Sequence, residues 1–377
     1  MPTDPLAPPR GAPVALRRSR LLALTALTLA AFAAAELALR IRTEMRHSAA
    51  RFDYIVDDPA VGPTLVPDVH LELPARERLG GTPRPLRINR HGLRGADVAP
   101  ERAPGTTRVI CLGSSVVFGP ESGDTELFTT QLQRLLNDDA AAGAARVEVL
   151  NAGVPGRSAR SVELSLRHRD ARFRPDVAVI YAVANDIGIA LWELGVRDPT
   201  ALPVAPSAVA RAHPLKRLWR TRSTLYVAGR VHFAAARPAS RTTEQLTFPA
   251  EAAELFYRDY RALVRTCREL GIVPVLATEP VAFRREQPYD QQLRLLAGGA
   301  WGLDLDGAYR AHDALNDAVR RVAADEAVVL VDLARTIAGG ADNFIDQIHL
   351  TPRGHRAVAA ELAAALRDHD LLAPRRP

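Results

Sequence analysis

Near its start the chain carries an uncharged, mostly apolar run from Leu21 to Ala35, and Leu37, Ala38 and Leu39 continue it past Glu36. About 20 such residues match the hydrocarbon thickness of a bilayer. No polar face repeats at helical spacing within the run, as a helix lying on a folded domain would require. Residues 21–39 are therefore expected to form either a transmembrane anchor or a secretory signal, with Ala33-Ala34-Ala35 as the small residues where a peptidase would cut. Arg17, Arg18 and Arg20 precede the run. By the positive-inside rule they place a cytoplasmic tail at 1–20 and everything beyond about residue 42 on the outer, periplasmic or extracellular side. Arg40 and Arg42 weaken that asymmetry without reversing it.

Beyond the run the pattern changes. Over residues 40–105 apolar positions stand singly among Pro, Gly and Arg, which predicts an irregular connector packed on the domain that follows. From Arg108 onward short β-branched runs alternate with helical patterns. The predicted strands are Val109 to Leu112, Val147 to Leu150, Val177 to Val183, Ile272 to Ala277 and Val328 to Val331. Between them fall predicted helices at about 125–137, 158–172, 250–270 and 307–325, and a last one follows Thr351-Pro352, where Thr caps and Pro fits the first turn. Such alternation predicts an α/β domain over 106–370, with a five-stranded parallel sheet covered on both faces. An Arg- and Pro-rich segment of about 188–249 fits no strand slot and is expected to be an insertion that shapes a substrate entrance.

Composition narrows the partners. The 377 residues carry a net charge of +6, but the basic residues are scattered rather than gathered into a stripe with interleaved aromatics, so no nucleic-acid partner is expected. Lys216 is the single lysine, which marks a compositional bias rather than a site. Cys111 and Cys267 are too few for a disulfide framework or a zinc site and are expected to be core thiols, although a pairing between the two stays open.

In an open α/β sheet, ligands bind beyond the carboxyl ends of the strands, so polar residues just after the apolar runs are the candidates for chemistry. Four such places stand out. Gly113-Ser114-Ser115 follows the first strand, at a tight turn that would expose the Ser115 hydroxyl. Asn151-Ala152-Gly153 follows the second, where the Gly153 N–H would face a bound anion. Asn185-Asp186 follows the third, as a side-chain donor or as an ordinary helix-capping pair. Asp346 precedes His349 by three residues, a spacing that lets the carboxylate hold one ring nitrogen while the other faces a nucleophile. Each alone also fits a plain turn or cap.

Taken together, the order Ser, Gly, Asn, His resembles the blocks that name the SGNH (GDSL-like) serine hydrolases, over roughly Arg108 to Leu366. The upstream Ile88-Asn89-Arg90-His91-Gly92-Leu93-Arg94-Gly95 is similar to the lead-in of envelope-anchored members. The resemblance implies a flavodoxin-like three-layer α/β/α sandwich. It implies Ser115 as nucleophile, His349 as general base and then acid, and Asp346 as the orienting carboxylate. An oxyanion hole of the Ser115 N–H, the Gly153 N–H and the Asn185 amide follows, with no metal and no cofactor. Two departures are visible: Ser114 stands where the family commonly has Asp, and Val183 where it commonly has Gly. The activity expected is removal of short, acetyl-like acyl groups from an ester of envelope carbohydrate or lipid. An O-acyltransferase on an exported polysaccharide and a noncatalytic carbohydrate-binding protein are the alternatives. His355, six residues beyond His349, is expected to face away on the last helix as a structural residue. Oligomeric state is not legible.

Overall fold

The computed structural model describes residues 20, 23–28, 30–35, 54–73, 81, 83–138, 146–194, 248–296, 301 and 303–373. By its contacts the chain divides into two units, Met1–Arg51 with Arg211–Ala239, and Phe52–Ala210 with Ser240–Pro377. In the first, residues 23–28 and 30–35 are helical with exposed side chains. The rest of the expected span 21–39 lies outside the described residues, and among these no helix is long and apolar enough to cross a membrane. Most of the expected insertion, 195–247, also lies outside them.

The second unit is built on β5 (Thr106–Gly113), β6 (Arg146–Gly153), β7 (Val177–Tyr181), β8 (Val273–Ala277) and β9 (Val329–Val331). All four partnerships are parallel, in the order β6-β5-β7-β8-β9. Every residue of β5 and β7 is buried, as continuous β-branched runs require in a sheet covered on both faces. One face carries α2 (Phe128–Asp138) packed on α9 (Pro352–Asp368). The other carries α5 (Ala250–Glu269), which packs on α3 (Ala159–His168) and α7 (Leu305–Asp325). Cys111 and Cys267 are buried free thiols of this core, and burial pushes the Cys267 thiol up to about 12.

The connector is not irregular as expected. It forms β1 (Ile55–Asp58) paired antiparallel with β2 (Gly62–Leu65), and β3 (Val69–Leu73) paired antiparallel with β4 (Arg84–Ile88). The pattern is clearest in β4, where Arg84, Leu86 and Ile88 point inward and Pro85 and Arg87 outward. Strands of four or five residues containing Pro and Arg show too little apolar periodicity to stand out from a loop. Leu65, Leu86 and Ile88 from these strands join Tyr54, Phe118 and Val154 in a second core. Tyr54 stacks on Phe118 with ring centroids 5.3 Å apart, so the connector presses on the segment that follows Ser115.

The Asn89–Gly95 segment is a structural bracket. The Asn89 Oδ1 accepts the N–H groups of His91 and Leu93, each at 3.0 Å, and its Nδ2 donates to the Ala96 carbonyl at 2.9 Å. Arg94 forms isolated antiparallel bridges to both Ile88 and Asn151, which covers the free edge of β6. Its guanidinium is fully buried, donates to the Asp124 carboxylate and to the Ser122 carbonyl, and lies 5.4 Å from the Phe118 ring centroid.

Candidate active site

Strand order reverses at β5, since β6 lies on one side of it and β7 to β9 on the other. The crevice at such a switch point opens beyond the carboxyl end of the central strand. There β5 ends at Gly113, where a Cβ would overlap the Tyr181 carbonyl. The chain turns at Ser114 into α1 (Ser115–Phe118), which Gly119 closes at φ 69°. The N–H groups of Val117 and Phe118 both donate to the Ser114 carbonyl. Ser115 thus sits at the open end of this turn, 8% exposed, and its own N–H has no acceptor among the described residues. Ser114, the departure from the usual Asp, is buried with its hydroxyl unpartnered.

Asp346 and His349 come from the loop before α9. Phe344 and Leu350, both buried, pair as an antiparallel bridge across its base, and the Ile345 N–H donates to the His349 carbonyl at 2.8 Å. Within the loop, Asp346 Oδ1 accepts the N–H groups of Ile348 at 3.0 Å and His349 at 2.8 Å. That leaves Oδ2 for the imidazole, 2.6 Å from His349 Nδ1, while His349 Nε2 lies 2.8 Å from Ser115 Oγ. Burial alone would raise the Asp346 pKa, but the imidazole and the two N–H donors outweigh it and hold the carboxyl below its ordinary range. A carboxylate on Nδ1 fixes the tautomer whose Nε2 is free to accept a proton, which is the arrangement that lets a hydroxyl act as a nucleophile.

Of the expected oxyanion donors, two are placed with hydrogens to spare. Asn185 stands in the first turn of α4 (Ala184–Glu193), and its Nδ2 donates one hydrogen to the Arg157 carbonyl at 3.0 Å. An amide nitrogen carries two, so the second is available. Gly153 is different from expectation: its N–H donates to the Asn151 side chain at 3.0 Å. Glycine is required there because a Cβ would lie 2.7 Å from the Val117 carbonyl carbon and would overlap the Phe118 nitrogen. In the loop that follows, Val154 and Arg157 donate to Gly113 and Val154 carbonyls, and Pro155 has no N–H. The Gly156 N–H, at φ 86°, has no partner among the described residues.

His355 is buried on the last helix, in a structural role. Its Nδ1 accepts the N–H of Phe128 at 3.1 Å and so satisfies the first turn of α2. Burial, with Arg94 and His349 nearby, pushes its pKa down to about 3. Sequence reasoning missed Glu279, fully buried just after β8, although a lone carboxyl at the carboxyl end of an apolar strand is itself a signal. It also left Asn151 and Arg157 without roles. Among the described residues, no group of three or more His, Cys, Asp or Glu side chains is placed to hold a metal ion.

A model of the GDSL-like lipase/acylhydrolase family matches residues 111–357. Among solved structures, the lipase/acylhydrolase from Enterococcus faecalis is 16% identical over 72% of this chain and 100% of its own, with a TM-score of 0.41. An acetylxylan esterase from Geobacillus stearothermophilus, solved as a catalytic mutant, is 14% identical over 72% of this chain and 97% of its own, with a TM-score of 0.41. A GDSL-like lipase from Bacteroides thetaiotaomicron is 12% identical over 72% and 93%, with a TM-score of 0.40. No curated protein matches.

Proposed function

The chain belongs to the GDSL-like lipase/acylhydrolase family, and from that membership we propose that it is a serine esterase that removes short acyl groups through an acyl-enzyme formed on Ser115. The observation that carries the reading is the unbroken line from Asp346 Oδ2 through His349 to Ser115 Oγ, at 2.6 and 2.8 Å. A serine hydroxyl is a weak nucleophile until a neighbouring base takes its proton in the transition state. His349 takes that proton as Ser115 Oγ attacks the ester carbonyl, then gives it to the departing alcohol. In the second half water loses a proton to His349 as it attacks the acyl-enzyme carbonyl, and when the bond to Ser115 Oγ breaks His349 returns that proton to Oγ and the carboxylic acid leaves. Asp346 holds the ring and offsets the charge of the imidazolium.

Negative charge grows on the former carbonyl oxygen in both halves. The Ser115 N–H and the second hydrogen of the Asn185 amide receive it, and the third donor falls to the loop after β6, where Gly156 rather than Gly153 carries a free N–H. Removing one such donor typically costs about 3 to 4 kcal/mol in the activation free energy. The low exposure of Ser115, 8%, favours a small acyl group.

Location is part of the proposal. The apolar character of 21–39, with Leu24, Leu27 and Phe32 exposed on its described part, supports a membrane anchor that holds the hydrolase outside the cytoplasm, where envelope carbohydrate or lipid would be the substrate. Recovery of the intact protein in the soluble fraction of its native cells would sink that part.

The test of the chemistry is labelling with an active-site phosphonate, together with turnover of a chromogenic acetyl ester. Wild type should be labelled and should turn over, and Ser115→Ala should do neither. Equal labelling of the two would overturn the reading. Adding a polysaccharide acceptor to the same assay separates transfer from hydrolysis, since a transferase would show acylated polysaccharide in place of free acid.

A further inference from the structure

Glu279 follows β8 at the same rim of the sheet, wholly buried, and no step above uses it. Its main chain cannot turn: the N–H donates to Asn316 Oδ1 at 2.8 Å, and the carbonyl accepts from Asn316 Nδ2 at 3.0 Å and lies 2.5 Å from His312 Nε2. Among the described residues the side chain makes no ion pair. Its Oε1 is buried without a partner, while Oε2 accepts the N–H groups of Val183 at 3.1 Å and Ala184 at 3.3 Å. A carboxyl held this way is costly to bury. What it does must therefore lie with Oε2.

The two N–H groups it takes are the ones that open α4, which a helix start leaves without intrahelical acceptors. Neither Val183 nor Ala182 has a side-chain oxygen to cap the turn, so Glu279 caps it from another strand. The next residue is Asn185. On its other sides, Asn185 is tied by its own amide to the Arg157 carbonyl, and Asp186 accepts the Ala159 N–H with both carboxylate oxygens at 3.1 Å. Those ties fix the side chain and the residue after it; the tie from Glu279 fixes the backbone before it. We infer that Glu279 is a positioning residue that sets the Asn185 amide for its work as an oxyanion donor, an inference that rests on the reading of Asn185 given above.

The experiment uses the full chain as wild type, Glu279→Ala, Glu279→Gln, Asn185→Ala and the Glu279→Ala/Asn185→Ala pair. It reads kcat and KM on an acetyl ester, per site titrated with phosphonate, and amide hydrogen exchange at Val183 and Ala184. Deleting an oxyanion donor costs roughly 10²- to 10³-fold in kcat, and displacing one should cost about tenfold or more. Glu279→Ala should therefore lose kcat with KM kept, and Glu279→Gln, whose amide oxygen still accepts, should recover most of the loss. In the Asn185→Ala background Glu279→Ala should add nothing, because its effect runs through the missing amide. Exchange at Val183 and Ala184 should quicken in Glu279→Ala. An unchanged kcat in Glu279→Ala, or a full additional loss in the Asn185→Ala background, would overturn the inference. Should Glu279→Ala not fold, Glu279→Asp, which withdraws the oxygen by one methylene, carries the same comparison. If wild type neither turns over nor is labelled, it is the esterase reading that falls; exchange at Val183 and Ala184 in Glu279→Ala or Glu279→Asp no faster than in wild type would then sink the positioning role on its own.

Discussion

His349 Nε2 lies 2.8 Å from Ser115 Oγ although 234 positions of sequence separate the two residues. The contact is set by the scaffold. Ser115 opens the turn after the central strand, and His349 leads into α9, which packs on the helix α2 that follows Ser115. Both groups thus stand on segments that lead into one packed pair of helices.

The third member of the line is the most exposed, since the Asp346 side chain is 39% accessible against 21% for His349. Replacing a buried triad carboxylate by its amide lowers kcat by roughly 10⁴-fold. Water can partly stabilise an imidazolium here, so Asp346→Asn should fall short of that, with a loss on the order of 10²- to 10³-fold in ester turnover. A kcat within threefold of wild type would show that His349 does not depend on this carboxylate.

Gly153 should matter for fit and not for its N–H. A methyl group there would sit 2.8 Å from Val117 Cβ and overlap the Phe118 nitrogen, both in the turn that carries Ser115. Overpacking of this kind costs typically about 1 to 3 kcal/mol. Gly153→Ala should lower the urea midpoint accordingly and shift α1, so turnover falls with stability. A variant as stable as wild type would contradict the packing account.

The sequence made the sheet legible because its five strands are short runs rich in Val, Ile and Leu, separated by helical periods. Ser115 and Asn185 were legible as candidates because each follows such a run at the start of a helix, and Asp346 and His349 because three residues separate them, a spacing that lets the carboxylate reach the ring. Gly153 differs for a physical reason: a glycine at a strand end serves equally to admit an anion or a neighbouring backbone, and in the folded chain Asn151 takes its N–H. Glu279 and Arg157 stayed silent because their roles are contacts across 96 and 28 positions, which no local spacing encodes. The connector strands were missed because their partners lie within a Pro- and Arg-rich stretch, where the alternation of β4 is spelled by Arg84 as much as by Leu86.

Arg94 and Asp124 should form the stability hinge of the connector. The guanidinium is wholly buried, and burial lowers its pKa while Asp124 opposes that. Taking away one partner of a buried pair leaves a bare charge and costs about 3 to 5 kcal/mol. Asp124→Ala should therefore lose that much in chemical denaturation, and replacing Arg94 by Met in the same chain should recover part of it. A loss under about 0.5 kcal/mol for Asp124→Ala would mean that Arg94 finds water or another acceptor.

His355 gives the protein a built-in sensitivity to acid. A free imidazole titrates near 6.5, whereas burial holds this one down to about 3. Above about pH 6.5 both folded and unfolded chains carry it neutral, and it contributes no pH dependence. As the pH falls from there toward 3, the unfolded chain binds a proton that the folded one refuses, so the unfolded state is favoured increasingly, by up to about 1.4 kcal/mol per pH unit. His355→Gln keeps an oxygen for the Phe128 N–H and cannot titrate. Plotted against pH, the unfolding free energy of wild type should drop below that of His355→Gln progressively between pH 6 and 4, after the two are set equal at pH 7.5. Curves that stay parallel across that window would mean that the ring takes its proton without unfolding.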